Sequence, residues 1–271
     1  MQTLKIGFIG CGNMAQAMIA GLVKQGYCQA SQIGVYNRSV AKITQLQQHY
    51  PVSAIADIGS LVKNSPLLIL AVKPHAINTV ITEMVPHLAS EQLIVSIAAG
   101  TTLATLAQQL PANSKIARVM PNTPALVNAA MSSLSINEQI TDAETEQLLT
   151  FCRCFGQAEC LPESLIHAVI GVSGSAPAYV YLFIEAMADG AVRAGMPRDK
   201  AYYFAAQTVF GAAKMVLDSG LHPAALKDAV CSPAGTTIEA VACLEEQGLR
   251  KAVLTAMQAC VDKSIQLSQQ H

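Results

Sequence analysis

The chain has 271 residues, enough for one large domain or two moderate ones with ample core. A formal net charge of −1 gives no field to recruit nucleic acid or an acidic membrane surface. Charged residues make up 13% and apolar residues 52%, too few charges to cover a monomer, so the composition predicts an oligomer. Lys5 and a glycine turn interrupt the first apolar run where a secretory signal would need continuity, and a cytoplasmic protein is expected.

Residues 4–9 read as a strand that leads straight into Gly10-Cys11-Gly12-Asn13-Met14-Ala15, with a helical pattern through Leu22. Strand, glycine turn and helix in that order suit a dinucleotide pyrophosphate. Gly10 permits the turn, Gly12 lets backbone approach phosphate, and small Ala15 lets helix and strand pack closely. Asn13 and Met14 open the helix, whose free N–H groups face the anion. A plain glycine turn in a βαβ unit is the rival reading, and the strand-turn-helix context favours the nucleotide.

Residues 32–36 predict a second strand, ending in Asn37-Arg38-Ser39. NAD-binding chains usually carry Asp or Glu at that strand end, and a carboxylate there would repel a 2′-phosphate. Here an amide, a guanidinium and a hydroxyl stand instead, with Lys42 one helical turn on. Arg38 can stack on adenine and pair with phosphate. NADP(H) is the cofactor expected, with use of NAD(H) left open and a solvated surface turn as the rival reading.

Further strands are predicted at 52–55, 67–72, 93–97, 115–119 and 132–136, alternating with helical patterns as a parallel α/β sheet requires. Ligands sit beyond the carboxyl ends of such strands. Ala71-Val72-Lys73-Pro74 and Ile97-Ala98-Ala99 lie there, so all seven join the cofactor-binding candidates, although Lys73 reads equally well as a surface lysine. The eight cysteines show no paired spacing for zinc and read as buried, reduced thiols; no metal site is expected.

After Pro162 strand-like alternation gives way to helical periodicity over 175–195, 198–219, 237–247 and 249–269. The division predicted is a Rossmann-type domain at 1–162 and an all-α domain at 163–271. Residues 165–184 carry no formal charge, but Ser173, Gly174, Ser175 and Pro177 interrupt them, which favours an interface helix over a membrane span. Tyr179, Phe183 and Met187 share one helix face, as core or interface packing requires.

Four strings then occur in order: AVKPH (71–75), RVMPNTPA (118–125), GSAPAY (174–179) and VCSPAGTT (230–237). With the glycine turn, they make the whole chain resemble pyrroline-5-carboxylate reductase. The resemblance implies an α/β fold, a Rossmann-type dinucleotide-binding domain followed by an all-α dimerisation and substrate domain. It implies reduction of the cyclic imine 1-pyrroline-5-carboxylate to L-proline with NAD(P)H. An iminium is already electrophilic, so the site must hold the carboxylate, place a donor near the nitrogen and align the nicotinamide.

Gly235, Thr236 and Thr237, before a helix, can supply backbone N–H groups for the carboxylate and hydroxyls for the nitrogen. By resemblance Thr237 takes the catalytic place at the ring nitrogen, as a relay or orienting donor, and Ser175 joins the substrate-binding set. Taken alone, Ser232 to Thr237 reads as a helix cap, and Ser175 as the cap of a long helix. The resemblance also marks departures. Ala176 and Ala234 stand where relatives commonly carry Gly, Ala229 where many carry Asn, and Gly220 where some carry Glu.

The partners expected are the imine and a second copy of the chain in a homodimer, with assembly beyond it, such as a decamer, left open. The competing functions are another imine or β-hydroxyacid reductase and a non-catalytic NADP(H)-binding regulator. The β-hydroxyacid type needs a lysine on the long helix, and residues 175–192 contain none.

Overall fold

The computed structural model describes residues 4–268, and the predicted helix end at residue 269 lies outside them. The chain forms two compact units: one runs up to Gly174 and includes the segment from Val261, the other is Ser175–Cys260.

The first unit is built on β1 (Ile6–Ile9), β2 (Ile33–Tyr36), β3 (Ser53–Ala54), β4 (Leu67–Leu70), β5 (Leu93–Ser96), β6 (Lys115–Met120), β7 (Ala130–Ile136) and β8 (Gly156–Cys160). They form one eight-stranded sheet in the order β3-β2-β1-β4-β5-β6-β7-β8. Helices α1 (Asn13–Lys24), α2 (Val40–Gln47), α3 (Ile58–Asn64), α4 (Ile77–Met84), α5 (Leu103–Gln109) and α6 (Asp142–Arg153) connect them. Strand alternation sorts the core into two layers. Phe8, Ile69 and Val95 belong to one cluster, while Ile9, Leu68, Leu70 and Ile94 belong to the other. Continuous apolar runs such as LLIL are what burial on both faces selects.

The strand order reverses between β1 and β4, and the crevice beyond their carboxyl ends is where an open α/β sheet binds its ligand.

Two features correct the expected all-parallel sheet. β7 pairs antiparallel with β6, because the short 3₁₀ segment Thr123–Val127 between them leaves no room for the crossover a parallel pair needs. β8, which the hydrophobic pattern missed, runs parallel to β7 after α6. It is one of the two edge strands and buries only Ala158 fully, so it shows no apolar run.

Past β8, α7 (Ile166–Val169) runs into a π turn at Ile170–Gly174. The helical part continues with α8 (Ala176–Arg193), α9 (Arg198–Ser219), α10 (Pro223–Val230), α11 (Thr236–Glu246) and α12 (Leu249–Ser268). α10 was not expected. Its start is an acceptor on His222, whose Nδ1 takes the Ala224 N–H at 3.2 Å, with Pro223 at the first helical position.

The fully buried core of the second unit is Ala188, Ala201 and Ala205, where α8 crosses α9. Leu182, Tyr203, Phe204, Phe210 and Leu217 are exposed. The run Glu163–Arg193 is long and apolar enough, by length and composition, to cross a membrane. It is broken by the π turn and by Pro177.

Candidate active site

At the carboxyl end of β1, Gly10 has φ +110, and a Cβ built on it would lie 2.4 Å from the Ala71 carbonyl oxygen. Both the dihedral and the space therefore demand glycine. Gly12 is different: a Cβ there meets nothing within 4 Å. Its openness leaves a cradle at the start of α1, whose N-cap Gly12 makes no side-chain bond. First-turn N–H groups of an uncapped helix attract an anion. Ala15 is buried against the core, while Asn13 and Met14 lie at the mouth of the turn.

Asn37 has a task the sequence did not reveal. Its Oδ1 accepts from the Cys11 N–H at 3.1 Å, and its Nδ2 donates to the Ser39 carbonyl at 2.9 Å. One side chain thus ties the glycine turn to the loop after β2. Arg38, Ser39 and Lys42 remain exposed beside it, and the Ser39 hydroxyl makes no cap bond to α2.

Ala71 follows β4, its N–H bonded to the Ile9 carbonyl at 2.9 Å. The Val72 side chain closes the other wall of the Gly10 turn. Lys73 is exposed and precedes Pro74, which starts a 3₁₀ turn. Next along the sheet, the Ile97 N–H bonds the Leu70 carbonyl at 3.2 Å; Ala98 is buried and Ala99 exposed. The first unit thus gathers the cofactor candidates along the carboxyl ends of β1, β2, β4 and β5.

In the second unit, the Gly235 N–H closes a turn onto the Ser232 carbonyl at 3.1 Å, with Pro233 and Ala234 between. Ala234 has φ +53. This is a turn whose third residue favours glycine. A Cβ on Gly235 would meet Ser232 Oγ at 2.3 Å and the Ser232 carbonyl oxygen at 3.1 Å, so a larger residue there would have to turn that hydroxyl aside. Gly235 is the N-cap of α11 and makes no side-chain bond. Thr236 and Thr237 are therefore the first two helical residues, not caps. Their N–H groups and hydroxyls open one helix end, with Thr237 half-buried and Thr236 exposed.

Ser175 stands at the N-cap of α8 without capping it. Its Oγ accepts from the Cys260 thiol at 3.2 Å, and hydrogen bonding to Cys260 raises the Tyr179 phenol above its ordinary pKa.

The cysteine reading needs one correction, since Cys160 and Cys243 are exposed. Burial pushes Cys152 up to about 12 and Cys154 up to about 11, which keeps both as unreactive thiols at neutral pH. Among the described residues, no group of three or more His, Cys, Asp or Glu is placed to hold a metal.

The family model for the pyrroline-5-carboxylate reductase dimerisation region matches residues 163–267. A second model, described as NADP oxidoreductase, coenzyme F420-dependent, matches residues 5–100. The chain is 52% identical to the pyrroline-5-carboxylate reductase of Escherichia coli K12, across 97% of this chain and 98% of that one. The chain belongs to the pyrroline-5-carboxylate reductase family.

An archaeal family member from Methanosarcina acetivorans is 42% identical over 98% of this chain and 99% of its own. Among solved structures, the Coxiella burnetii pyrroline-5-carboxylate reductase superposes with a TM-score of 0.92 at 34% identity, covering 98% and 99% of the two chains. The Plasmodium falciparum pyrroline carboxylate reductase, solved with NADP bound, gives 0.87 at 27% identity over 99% of each.

Membership in the reductase family makes this chain's departures interpretable. Gly220 has φ +65 and ends α9 in the left-handed conformation, a backbone reason for glycine independent of any ligand. Ala176, the first residue of α8, is not among the residues with positive φ, so its methyl carries no backbone strain. Ala234 does carry it.

Ala234→Gly should therefore stabilise the protein by about 0.5–1 kcal/mol, the relief of the left-handed strain less glycine's larger unfolded-state entropy. A thermal melt of the two proteins checks this. An unchanged or lower midpoint would show the turn unstrained.

Proposed function

We propose that this chain reduces 1-pyrroline-5-carboxylate to L-proline with NADP(H), the last step of proline biosynthesis. The reading is carried by the α11 N-terminus, where two threonines follow a turn that leaves the helix uncapped. A cyclic imino acid offers the complement: a carboxylate for the N–H groups and a ring nitrogen for a hydroxyl. Gly235 and Thr236 would hold the carboxylate, with Ser175 as a further contact. Thr237 would orient or relay the proton at the nitrogen, since a threonine hydroxyl is too weak an acid to act as a reservoir.

When bound, the dinucleotide supplies the hydride that goes to the carbon of the C=N bond. The residues toward it fit. The open cradle at Gly12 and the uncapped start of α1 suit its pyrophosphate. The cations and hydroxyl at Arg38, Ser39 and Lys42 suit a 2′-phosphate. Ala71, Val72, Lys73, Pro74, Ile97, Ala98 and Ala99 would flank the rest, and NAD(H) remains usable because nothing in this set repels an unphosphorylated ribose. α8 carries no lysine, which disfavours the β-hydroxyacid chemistry.

The protein is proposed to be cytoplasmic, with 1–162 as the nucleotide-binding part and 163–271 as the part that pairs with a second copy. Exposed apolar side chains on α8 and α9 support pairing, as does the dimerisation-model match. In that reading Glu163–Arg193 is an interface segment and not a membrane span. Assembly beyond the dimer, such as a decamer, would build on the same contacts.

Light scattering on the eluting protein, with NADPH oxidation assayed on each fraction, tests both points. The expected result is imine-dependent NADPH loss in a dimeric or larger species. A stable, active monomer at micromolar concentration would remove the pairing proposal. Nucleotide binding without turnover would favour the regulator reading.

A further inference from the structure

Arg118, in β6, is 4% exposed. A buried guanidinium needs a partner. It finds one in Glu163, whose Oε1 lies 2.8 Å from Arg118 Nη1. The same oxygen accepts from the Leu103 backbone N–H at 2.9 Å. Leu103 is the first residue of α5, and the Thr102 hydroxyl accepts from the Thr105 N–H at 3.0 Å. Two side chains thus hold the first turn of α5, and one of them is an anion placed where the helix dipole favours it.

The loop entering that turn is Ile97–Thr102. Between Ala98, which packs into the core, and buried Thr101, the residues Ala99 and Gly100 offer no long side chain to anchor it, so its course is set at its ends. At one end the Ile97 N–H bonds the Leu70 carbonyl at 3.2 Å, and the Ala98 N–H bonds Ser96 Oγ at 3.3 Å. At the other end stands Glu163.

We propose that Glu163, oriented by Arg118, is a positioning residue for the nicotinamide half of the dinucleotide. Its carboxylate fixes the start of α5 and through it the Ile97–Thr102 loop, against which that half would lie. This rests on the cofactor assignment made under Proposed function. The glycine turn and the Asn37–Ser39 loop, which would hold the adenine half, are fastened separately through Asn37. Loss of the carboxylate should therefore disturb one half of the ligand and spare the other.

The test uses paired substitutions that leave no buried charge stranded. Arg118→Met with Glu163→Gln keeps an oxygen for the Leu103 N–H, whereas Arg118→Met with Glu163→Leu removes it. The probes are 2′,5′-ADP for the adenine half and NADPH for the whole. The leucine pair should bind 2′,5′-ADP within about 2-fold of the parent but NADPH roughly 10-fold more weakly. Its KM for NADPH should rise in step while KM for the imine stays put. The glutamine pair should recover NADPH binding to within about 3-fold of the parent.

Equal losses for both probes, no loss for either, or a glutamine pair no better than the leucine pair would each overturn the proposal. Should the leucine pair not fold, Glu163→Asp keeps the charge and shortens the reach. It must then show the same split between probes at about 3-fold, and its absence overturns the proposal. A parent protein that binds neither probe would instead bring down the cofactor assignment itself.

Discussion

Thr237→Ala is expected to lower turnover by roughly 10–10³-fold, the loss of one preorganised donor at a site with no strong acid. NADPH affinity should stay close to the parent's, because the residues proposed to hold the dinucleotide belong to the other unit. Thr237→Ser keeps the hydroxyl and should recover most of the rate. The structure sharpens the contrast with a helix-capping role. The N-cap of α11 is Gly235, so the Thr237 hydroxyl caps nothing and its removal should leave the melting temperature nearly unchanged. Measuring kcat and the thermal midpoint on both variants separates the roles. An alanine variant with normal kcat would take Thr237 out of the mechanism.

Arg38→Asp should weaken NADPH binding far more than NADH binding. A charge-assisted phosphate contact is worth roughly 1.5–3 kcal/mol. Arg38 is exposed and lies just past β2, so solvent screening argues for the lower end of that range. The new carboxylate would add repulsion toward a 2′-phosphate while offering an acceptor to a free 2′-hydroxyl. Titrating both nucleotides against both proteins decides the matter, and equal losses would show that Arg38 does not read the phosphate.

Much of the first unit was legible because its signals are local. A glycine with φ +110 against a carbonyl leaves its mark in the sequence whatever the rest of the chain does. So do doubly buried strands such as LLIL. What escaped depends on partners far along the chain. The direction of β7 follows from the connection before it, and the edge strand β8 has too few buried residues to show a pattern. Asn37 was readable as a ligand contact, but its bond to Cys11 was not, because that bond spans a distance in sequence that no motif encodes.

The Ser232–Thr237 string was ambiguous on its own, because caps and anion sites use the same residue types. The observed turn, with Gly235 at the N-cap, takes side-chain capping away from the two threonines, and the anion site is the reading proposed for them. The Arg118–Glu163 pair was visible only as one arginine inside a motif and one glutamate past a proline.

The helical unit has scarcely any interior: Ala188, Ala201 and Ala205 are its only fully buried hydrophobic core among the described residues. Three methyl-sized side chains, with Ile184, Met187, Ala191, Val192 and Met196 only partly buried against them, make a small offset to the entropy of ordering those helices. If a second copy supplies the missing interior, as proposed above, folding and association become one equilibrium governed by mass action. Stability is then partly a property of concentration, and each tenfold dilution withdraws about 1.4 kcal/mol from the assembled state. A substitution at an outward-facing position such as Leu182 or Phe204 would then act at a distance, depleting active enzyme in dilute solution while leaving the residues around the imine unchanged in the molecules that stay assembled.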